Sequence, residues 1–283
     1  MGEEQDALRQ WPHRPIGVLD SGVGGLSVVR HLRQELPAEH ILYFADQAHI
    51  PYGPRPPQEV RAFTAGISRF LMERGAKLIV VACNAATAAA LDSLREVFPE
   101  VPFVGMEPAV KPAAAQTRSG KVGVLATPGT LNSHRYARLM ARYGEGIEIY
   151  EDPCIGLVQL IEAGALEAPE TRDLLQRVTG PMLESGVDTF VLGCTHYPFV
   201  APLLRQIAGD DVAIIDPAPA VARRTRTVLQ QQGLAAPDSQ EGTLRCYTSG
   251  DARQLAALSA LLLGRACHSH AALWQVDGLA VEP

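Results

Sequence analysis

The sequence predicts an α/β fold with two similar domains, each built on a mostly parallel sheet flanked by helices, and an active site in the cleft between them. Short apolar runs alternate with helical patterns along the 283 residues, as expected for parallel sheets covered on both faces. The chain also repeats itself weakly. Gly17–Ser21 is similar to Gly123–Thr127, and Leu78–Asn84 is similar to Phe190–Thr195. A duplicated α/β unit explains both pairs, although strand–turn junctions also look alike by chance.

Eight short apolar runs are predicted to be buried strands. They are Ile16–Leu19, Ile41–Phe44, Leu78–Val81, Val101–Val104, Val122–Leu125, Ile147–Ile149, Phe190–Leu192 and Val212–Ile215. Helical patterns lie between them, and the clearest follows Pro56 and Pro57. Its apolar residues recur three and four positions apart, on one helix face, and Gly75 is placed to end the helix. These residues are Val60, Phe63, Ile67, Phe70 and Leu71.

The repeat also predicts the domain boundaries. The first domain spans residues 14–108 and 212–268, because the segment after Asp216 has helical patterns but no third cysteine loop, and folds back onto the first half. The second domain spans residues 109–211. Residues 1–13 and 271–283 are predicted to be terminal extensions.

Composition favours a cytoplasmic enzyme. A net charge of −6 disfavours binding to nucleic acid, which needs a basic face. No apolar run approaches the roughly 20 residues that span a bilayer, and residues 1–14 lack the apolar core of a signal peptide. The five cysteines are odd in number, and they never form a Cys-x-x-Cys pair. We therefore expect free thiols, with no disulfide framework, metal site or membrane partner.

Two of the cysteines lie where α/β proteins bind ligands. Cys83 and Cys194 each follow an apolar strand and precede a helical pattern, Ala85–Phe98 and Pro198–Ile207. Ligands bind beyond the carboxyl ends of such strands, where a helix N-terminus favours a thiolate. Either cysteine alone could be a small buried apolar residue, but equivalent placement in two halves favours a shared role. Two thiols on opposite faces of one carbon can remove a proton and return another, which is what a racemase requires.

Two polar residues, His196 and Asp20, are candidates to assist the thiols. His196 lies two positions after Cys194, so in an extended segment both side chains point the same way. A surface or core histidine is the alternative. Asp20 directly follows a predicted strand, which fits either site chemistry or a helix cap.

Two loops are candidates to hold a ligand. The glycine-rich run Asp20–Gly25 has Ser27 where a dinucleotide-binding fingerprint needs its third glycine. A helix start whose backbone N–H groups bind a carboxylate is the alternative use of such a run. Tyr52 and Gly53 lie in a proline-rich loop that is either a rigid substrate-binding loop or a plain surface turn.

Six motifs occur in order between about residue 15 and about residue 255, namely Leu19–Leu26, Pro51–Gly53, Val81–Asn84, Gly123–Thr127, Leu192–Pro198 and Tyr247–Asp251. As an ordered set they resemble glutamate racemase, in the aspartate/glutamate racemase family. The resemblance implies interconversion of L- and D-glutamate, with D-glutamate supplied to peptidoglycan synthesis. It implies no pyridoxal phosphate, metal or nucleotide, two α/β domains around the substrate, and a homodimer.

The resemblance also implies residue roles. Cys83 is similar to the base that deprotonates D-glutamate, and Cys194 to the base that deprotonates L-glutamate. Asp20 assists Cys83, His196 assists Cys194, and Glu162 is similar to a further assisting carboxylate. Positions that hold the substrate are matched by Asp20, Ser21, Tyr52, Gly53, Asn84, Ala85, Thr130, Thr195 and His196.

The sequence departs from the family pattern at two places. Ala85 stands where the family usually has threonine, so one hydroxyl is missing, and Thr87 need not reach the substrate. Pro153–Cys154 inverts the family's Cys-Pro order, upstream of Glu162.

Three alternatives stay open at this point. The substrate could be aspartate or a similar acid. A Cys–His hydrolase would use only Cys194 and His196. The third alternative is a binding protein without catalysis, because some racemases of this type are similar to proteins that bind DNA gyrase.

Overall fold

The computed structural model describes residues 13–276 and 278–281 of the chain. Its strands, β1 to β11 in chain order, are Ile16–Asp20, Ile41–Ala45, Leu78–Val81, Phe103–Val104, Lys121–Leu125, Glu148–Asp152, Thr189–Leu192, Ala213–Ile215, Leu244–Thr248, His268–Gln275 and Gly278–Val281. Its α-helices, α1 to α11, are Leu26–Glu35, Pro57–Glu73, Asn84–Val97, Val110–Gln116, Pro128–Leu131, His134–Tyr143, Leu157–Glu162, Pro169–Glu184, Ala201–Ala208, Ala218–Gln231 and Ala252–Leu263. A 3-10 helix, Tyr197–Val200, leads directly into α9.

The strands form two sheets, as the alternating pattern predicts. The first has the order β11-β10-β9-β2-β1-β3-β4, and the second has the order β6-β5-β7-β8. Neighbouring strands run parallel except β10 and β11, which are antiparallel. The order β2-β1-β3-β4 in the first sheet recurs as β6-β5-β7-β8 in the second. The two halves therefore share one topology, which is what the repeated sequence landmarks predict.

Burial explains why the predicted elements form where they do. Every position of β1, β3 and β7 is buried, so each consists of apolar or small residues, except that β1 ends on Asp20. The helix predicted after Pro56 is α2, and its buried face includes Val60, Ile67 and Phe70. Gly75 follows with φ of +86°, the left-handed conformation that commonly ends a helix.

One predicted domain limit is corrected by the strand pairing. The sequence predicts that Val212–Ile215 belongs to the first domain, but β8 pairs with β7 in the second sheet. The chain returns to the first half only afterwards, through α10, which packs against α1. A short apolar strand carries no local signal of which sheet it will join, so the sequence could not resolve this boundary.

The predicted C-terminal extension is also corrected. Within residues 271–283, the end of β10 and all of β11 extend the first sheet beyond β9. Exposed and half-buried positions alternate along most of β10, where Ala272 alone is fully buried, because a region near the sheet edge with solvent on one side needs no continuous apolar run. β9 was not predicted either, because its sequence includes Arg245 and Thr248 and so has no continuous apolar run, although Cys246, Tyr247 and Thr248 are buried. The N-terminal extension, residues 1–13, lies outside the described residues except for His13.

Candidate active site

A small cavity lies between the two sheets. Its walls include residues that follow four strands: Ser21 after β1, Cys83 after β3, Thr127 after β5 and Cys194 after β7. These strands occupy equivalent positions in the two halves, β1 with β5 and β3 with β7. The full set of lining residues is Ser21, Pro51, Tyr52, Gly53, Cys83, Asn84, Ala85, Thr127, Val158, Cys194, Thr195 and His196. Both predicted cysteines thus face one cavity.

Cys83 is held at the start of a helix. It is the N-cap of α3, and its Sγ accepts a hydrogen bond from the backbone N–H of Ala86 at 3.4 Å. Burial, and next the nearby carboxylate of Asp20, raise the pKa of Cys83 well above its ordinary value, against smaller opposing effects that include a hydrogen bond with Ser21. The surroundings of this sulfur therefore favour a thiol that keeps its proton.

Cys194 has a different environment, because it begins a chain of acid–base groups. Its Sγ lies 3.7 Å from Nδ1 of His196, and Nε2 of that ring lies 2.7 Å from Oε1 of Glu162. The predicted convergence of Cys194 and His196 is confirmed, but the predicted extended segment is wrong. His196 has helical φ and ψ values, and a tight turn before the 3-10 helix brings the two side chains together. The expected α-helix N-terminus beside Cys194 is replaced by this turn.

The buried pair of His196 and Glu162 favours the charged forms. Burial alone would lower the pKa of His196, but hydrogen bonds with Cys194 and Glu162 raise it well above the ordinary value. Burial alone would raise the pKa of Glu162, but the hydrogen bond and charge of His196, the N–H of Val23 and Gln47 together lower it. The directions of these two shifts favour an imidazolium between the Glu162 carboxylate and the Cys194 sulfur.

Asp20 proves to be both a loop organiser and a neighbour of the site. Its Oδ2 accepts from the backbone N–H groups of Gly22 at 3.2 Å and Gly25 at 2.9 Å. Its Oδ1 lies 3.4 Å from the hydroxyl of Thr195, a cavity residue. Burial raises the pKa of Asp20, although His196 and the two glycine N–H groups oppose the rise. Asp20 stands directly behind the cavity wall and is not one of the residues that line it.

The glycine-rich run is used by the protein's own carboxylates. While Asp20 takes two of its N–H groups, the N–H of Val23 donates to Oε1 of Glu162 at 2.6 Å. The glycines allow this close approach, since a Cβ on Gly22 would clash with the carboxylate of Glu162 and a Cβ on Gly24 would clash with the ring of His196. Three N–H groups of this run are therefore bound to carboxylates of the protein itself, and they are not free to hold either a phosphate or a carboxylate of a ligand.

Asn84 is the polar residue with the clearest capacity for a ligand. It is 3% exposed and lines the cavity. Neither its Oδ1 nor its Nδ2 has a hydrogen-bond partner among the described residues. Buried amides are normally paired, so this one is placed to pair with a bound molecule.

The other predicted substrate-holding residues divide into two groups. Those that line the cavity are Ser21, Tyr52, Gly53, Ala85, Thr195 and His196. Thr130 does not line the cavity. It lies behind Thr127, with the two hydroxyl oxygens 3.4 Å apart. Thr87 does not compensate for Ala85, because its hydroxyl donates to the carbonyl of Val81 and accepts from the N–H of Met106.

Sequence reasoning missed three cavity residues, Pro51, Thr127 and Val158. The internal repeat contains the signal for one of them, because Ser21 and Thr127 end the matched segments Gly17–Ser21 and Gly123–Thr127. Across the described ranges, no helix is both long and apolar enough to cross a membrane. In the same part of the chain, no three or more histidine, cysteine or carboxylate side chains are grouped to hold a metal ion.

Fold and cavity together define a class: an α/β protein whose two similar halves each bring a thiol to one enclosed site. Residues 16–225 match the model of the Asp/Glu/Hydantoin racemase family. The chain is 53% identical over 246 residues to a glutamate racemase of Roseiflexus sp. (strain RS-1), covering 87% of this chain and 90% of that protein. It is 51% identical over 249 residues to a glutamate racemase of Pseudomonas aeruginosa (strain PAO1), covering 88% and 94%.

Solved structures show the same relationship. A glutamate racemase isoform of Bacillus anthracis is similar with a TM-score of 0.82 at 33% identity, over 91% of this chain and 96% of that one. The Escherichia coli glutamate racemase in complex with L-glutamate and the activator UDP-MurNAc-ala is similar with a TM-score of 0.81 at 33% identity, over 95% and 100%. The chain belongs to the Asp/Glu/Hydantoin racemase family, and it is an enzyme of the isomerase class.

Proposed function

We propose that this enzyme is a cofactor-independent glutamate racemase that uses Cys83 and Cys194 as its two bases. The observation that carries the proposal is that both thiols line one buried cavity. Relatives that share about half of their residues with this chain along most of its length are glutamate racemases, which supports glutamate over aspartate as the substrate.

In the proposed reaction, one thiolate removes the α proton and the opposite thiol supplies a new one. With L-glutamate bound, Cys194 takes the proton while Cys83 protonates the other face of the carbanion, and the roles reverse with D-glutamate. Each turnover leaves one thiolate and one thiol, so no external acid, base or oxidant is consumed. The raised pKa of Cys83 suits it to hold the proton that it donates to the carbanion in the L-to-D direction.

Several residues assist in this proposal. The imidazolium of His196, which is hydrogen-bonded to Glu162, orients the Cys194 sulfur and stabilises its negative charge when it is a thiolate. Asp20 assists on the Cys83 side. The substrate is bound through the cavity residues Ser21, Tyr52, Gly53, Asn84, Ala85, Thr195 and His196, with Thr130 in support through Thr127. A backbone N–H at Ala85 remains available where the family has a threonine.

We also infer the setting of the reaction. The two sheets form the cores of two domains, one spanning residues 14–108 and the chain after Ile215, the other spanning residues 109–215. The enzyme acts in the cytoplasm, as a homodimer, and supplies D-glutamate for peptidoglycan.

Solvent deuterium tests the two-base mechanism. In D2O, with a chelator present and no added cofactor, the enzyme is expected to convert L-glutamate to D-glutamate that carries deuterium at Cα. The thiol that protonates the new face has exchanged with solvent, whereas the unreacted L-glutamate keeps its α proton at early times. Chiral separation followed by mass spectrometry measures both pools. A requirement for pyridoxal phosphate or metal, or equally fast labelling of the unreacted enantiomer, contradicts the mechanism.

Asn84→Ala is expected to separate binding from stability. Because the Asn84 amide is buried without a partner, its loss should leave Tm unchanged or slightly raised. The KM for glutamate should rise about tenfold or more, since one or two hydrogen bonds to a charged ligand are lost. Thermal unfolding and steady-state kinetics measure the two quantities. A large fall in Tm with an unchanged KM would show that Asn84 is structural.

A second candidate function is favoured by one observation. Cys194, His196 and Glu162 form a cysteine–histidine–carboxylate chain, which is the arrangement of a Cys–His hydrolase. That function needs no second thiol, so substitution of Cys83 distinguishes it from a racemase.

A further inference from the structure

Asp46, which directly follows β2, accepts hydrogen bonds from residues in distant parts of the chain. It is fully buried. Its Oδ2 accepts from the Tyr52 hydroxyl at 2.5 Å, and its Oδ1 accepts from the Ser249 hydroxyl at 2.6 Å and from Nε1 of Trp274 at 2.8 Å. Nδ1 of His49 lies 3.0 Å from both oxygens. The Asp46 carboxylate therefore joins the proline-rich loop to the segment that follows β9, through Ser249, and to β10, through Trp274.

The loop that Asp46 holds is a wall of the cavity. Pro51, Tyr52 and Gly53 all line it. On its other side the loop lies against the second half, because a Cβ on Gly53 would come within 2.7 Å of the Thr127 Cβ. Burial, and then Asp46, raise the pKa of Tyr52 well above its ordinary value, so its hydroxyl remains a donor. The loop has little room to shift without changing the shape of the site.

Trp274 brings the C-terminal hairpin, β10–β11, into this network. Its ring packs so closely on α2 that a Cβ on Gly66 would lie 2.7 Å from it. It also meets the ring of His49 edge-on, with centroids 5.5 Å apart, while His49 stacks on Phe63 at 3.9 Å. The indole N–H then reaches Asp46. The hairpin is thus fixed against the same carboxylate that fixes Tyr52.

We propose that Asp46 and Trp274 are positioning residues of the active site. Trp274 orients the Asp46 carboxylate, the carboxylate fixes Tyr52, and Tyr52 fixes the loop 50–53 against the substrate. The C-terminal hairpin, which the sequence identifies only as an extension, thereby sets substrate affinity without touching the substrate. This inference rests on the proposed racemase function.

Trp274→Phe tests the claim, because it removes the N–H donor and keeps most of the ring packing. We expect KM for both enantiomers of glutamate to rise about three- to tenfold, with little change in kcat. This is less than the loss of a hydrogen bond made directly to a charged substrate would cause, because Trp274 acts on the substrate only through Asp46 and Tyr52. Asp46→Asn places an amide donor among four donors and should raise KM further. If that variant does not fold, Trp274→Phe still decides the question.

A double-mutant cycle with Tyr52→Phe distinguishes positioning from general support of the fold. If Trp274 acts through Asp46 on Tyr52, adding Trp274→Phe to Tyr52→Phe should change KM no further. Leu273→Ala is the matched control, since it weakens the same strand from its half-exposed face. It should lower Tm while leaving KM unchanged.

The outcomes separate this inference from the function on which it rests. A wild-type enzyme that does not racemise glutamate overturns both. An active wild type with an unchanged KM in Trp274→Phe, or with additive effects in the double variant, overturns the positioning role alone.

Discussion

Replacing either Cys83 or Cys194 with serine is expected to lower kcat/KM for glutamate racemisation by at least about 1000-fold. A serine hydroxyl occupies nearly the same space as the thiol, but it is a far weaker acid and cannot serve as a proton carrier at neutral pH. Both sulfurs lie in one cavity, and each is needed once in every turnover. Circular dichroism and Tm should show that both variants remain folded.

The loss should be equal in the two directions for each variant. L- and D-glutamate are mirror images with identical free energies, so kcat/KM must be the same in both directions whichever thiol is removed. Cys267→Ser is the matched control, because this thiol lies near β10 and outside the cavity, and its activity should be close to that of the wild type. A severe loss in Cys194→Ser together with a mild loss in Cys83→Ser would instead favour the hydrolase.

The residues that follow strand ends could be predicted from the sequence, and the structure explains why. A buried parallel strand has a continuous apolar run, so the polar residue that ends the run marks the place where a site can form. Asp20, Cys83 and Cys194 were found in this way. Their equivalence in two halves could be predicted too, because duplicated topology leaves matched segments in the chain. The same reasoning extended by one residue would have found Thr127.

The contacts that could not be predicted join residues that lie far apart in the chain and have no periodic pattern. Asp46 and Trp274 are joined by a hydrogen bond across 228 positions, and nothing local to either residue indicates the contact. The Glu162–His196 pair had only the family resemblance to indicate it. The two remaining errors, the domain boundary at β8 and the C-terminal extension, both concern strand pairing. Both the sheet that β8 joins and the addition of β10 and β11 to the first sheet depend on tertiary packing, which overrides weak local preference.

The second large effect is expected for Glu162→Gln, which should lower kcat/KM by roughly 100-fold. Glutamine keeps the size of the side chain and can still accept from Val23, but it removes the charge 2.7 Å from Nε2 of His196. The pKa of His196, now held well above its ordinary value by Cys194 and Glu162 against the effect of burial, should fall. The limb of the pH–rate profile due to His196 should therefore move to lower pH. An exposed carboxylate, Glu170, provides the matched control as Glu170→Gln, which should leave the profile in place.

The free energy of unfolding should also depend on the charges of His196 and Glu162. The linkage between protonation and folding gives the direction in which it changes with pH. His196 has a folded-state pKa above its ordinary 6.5, so its contribution is complete below about pH 6.5 and is lost as the pH rises through the folded-state value. Glu162 has a folded-state pKa below its ordinary 4.5, so its contribution is complete above about pH 4.5 and is lost as the pH falls. The difference in the free energy of unfolding between wild type and Glu162→Gln should therefore be largest between about pH 4.5 and 6.5. A difference that does not vary with pH would mean that the pair is not charged, and that His196 cannot act on Cys194 as a cation.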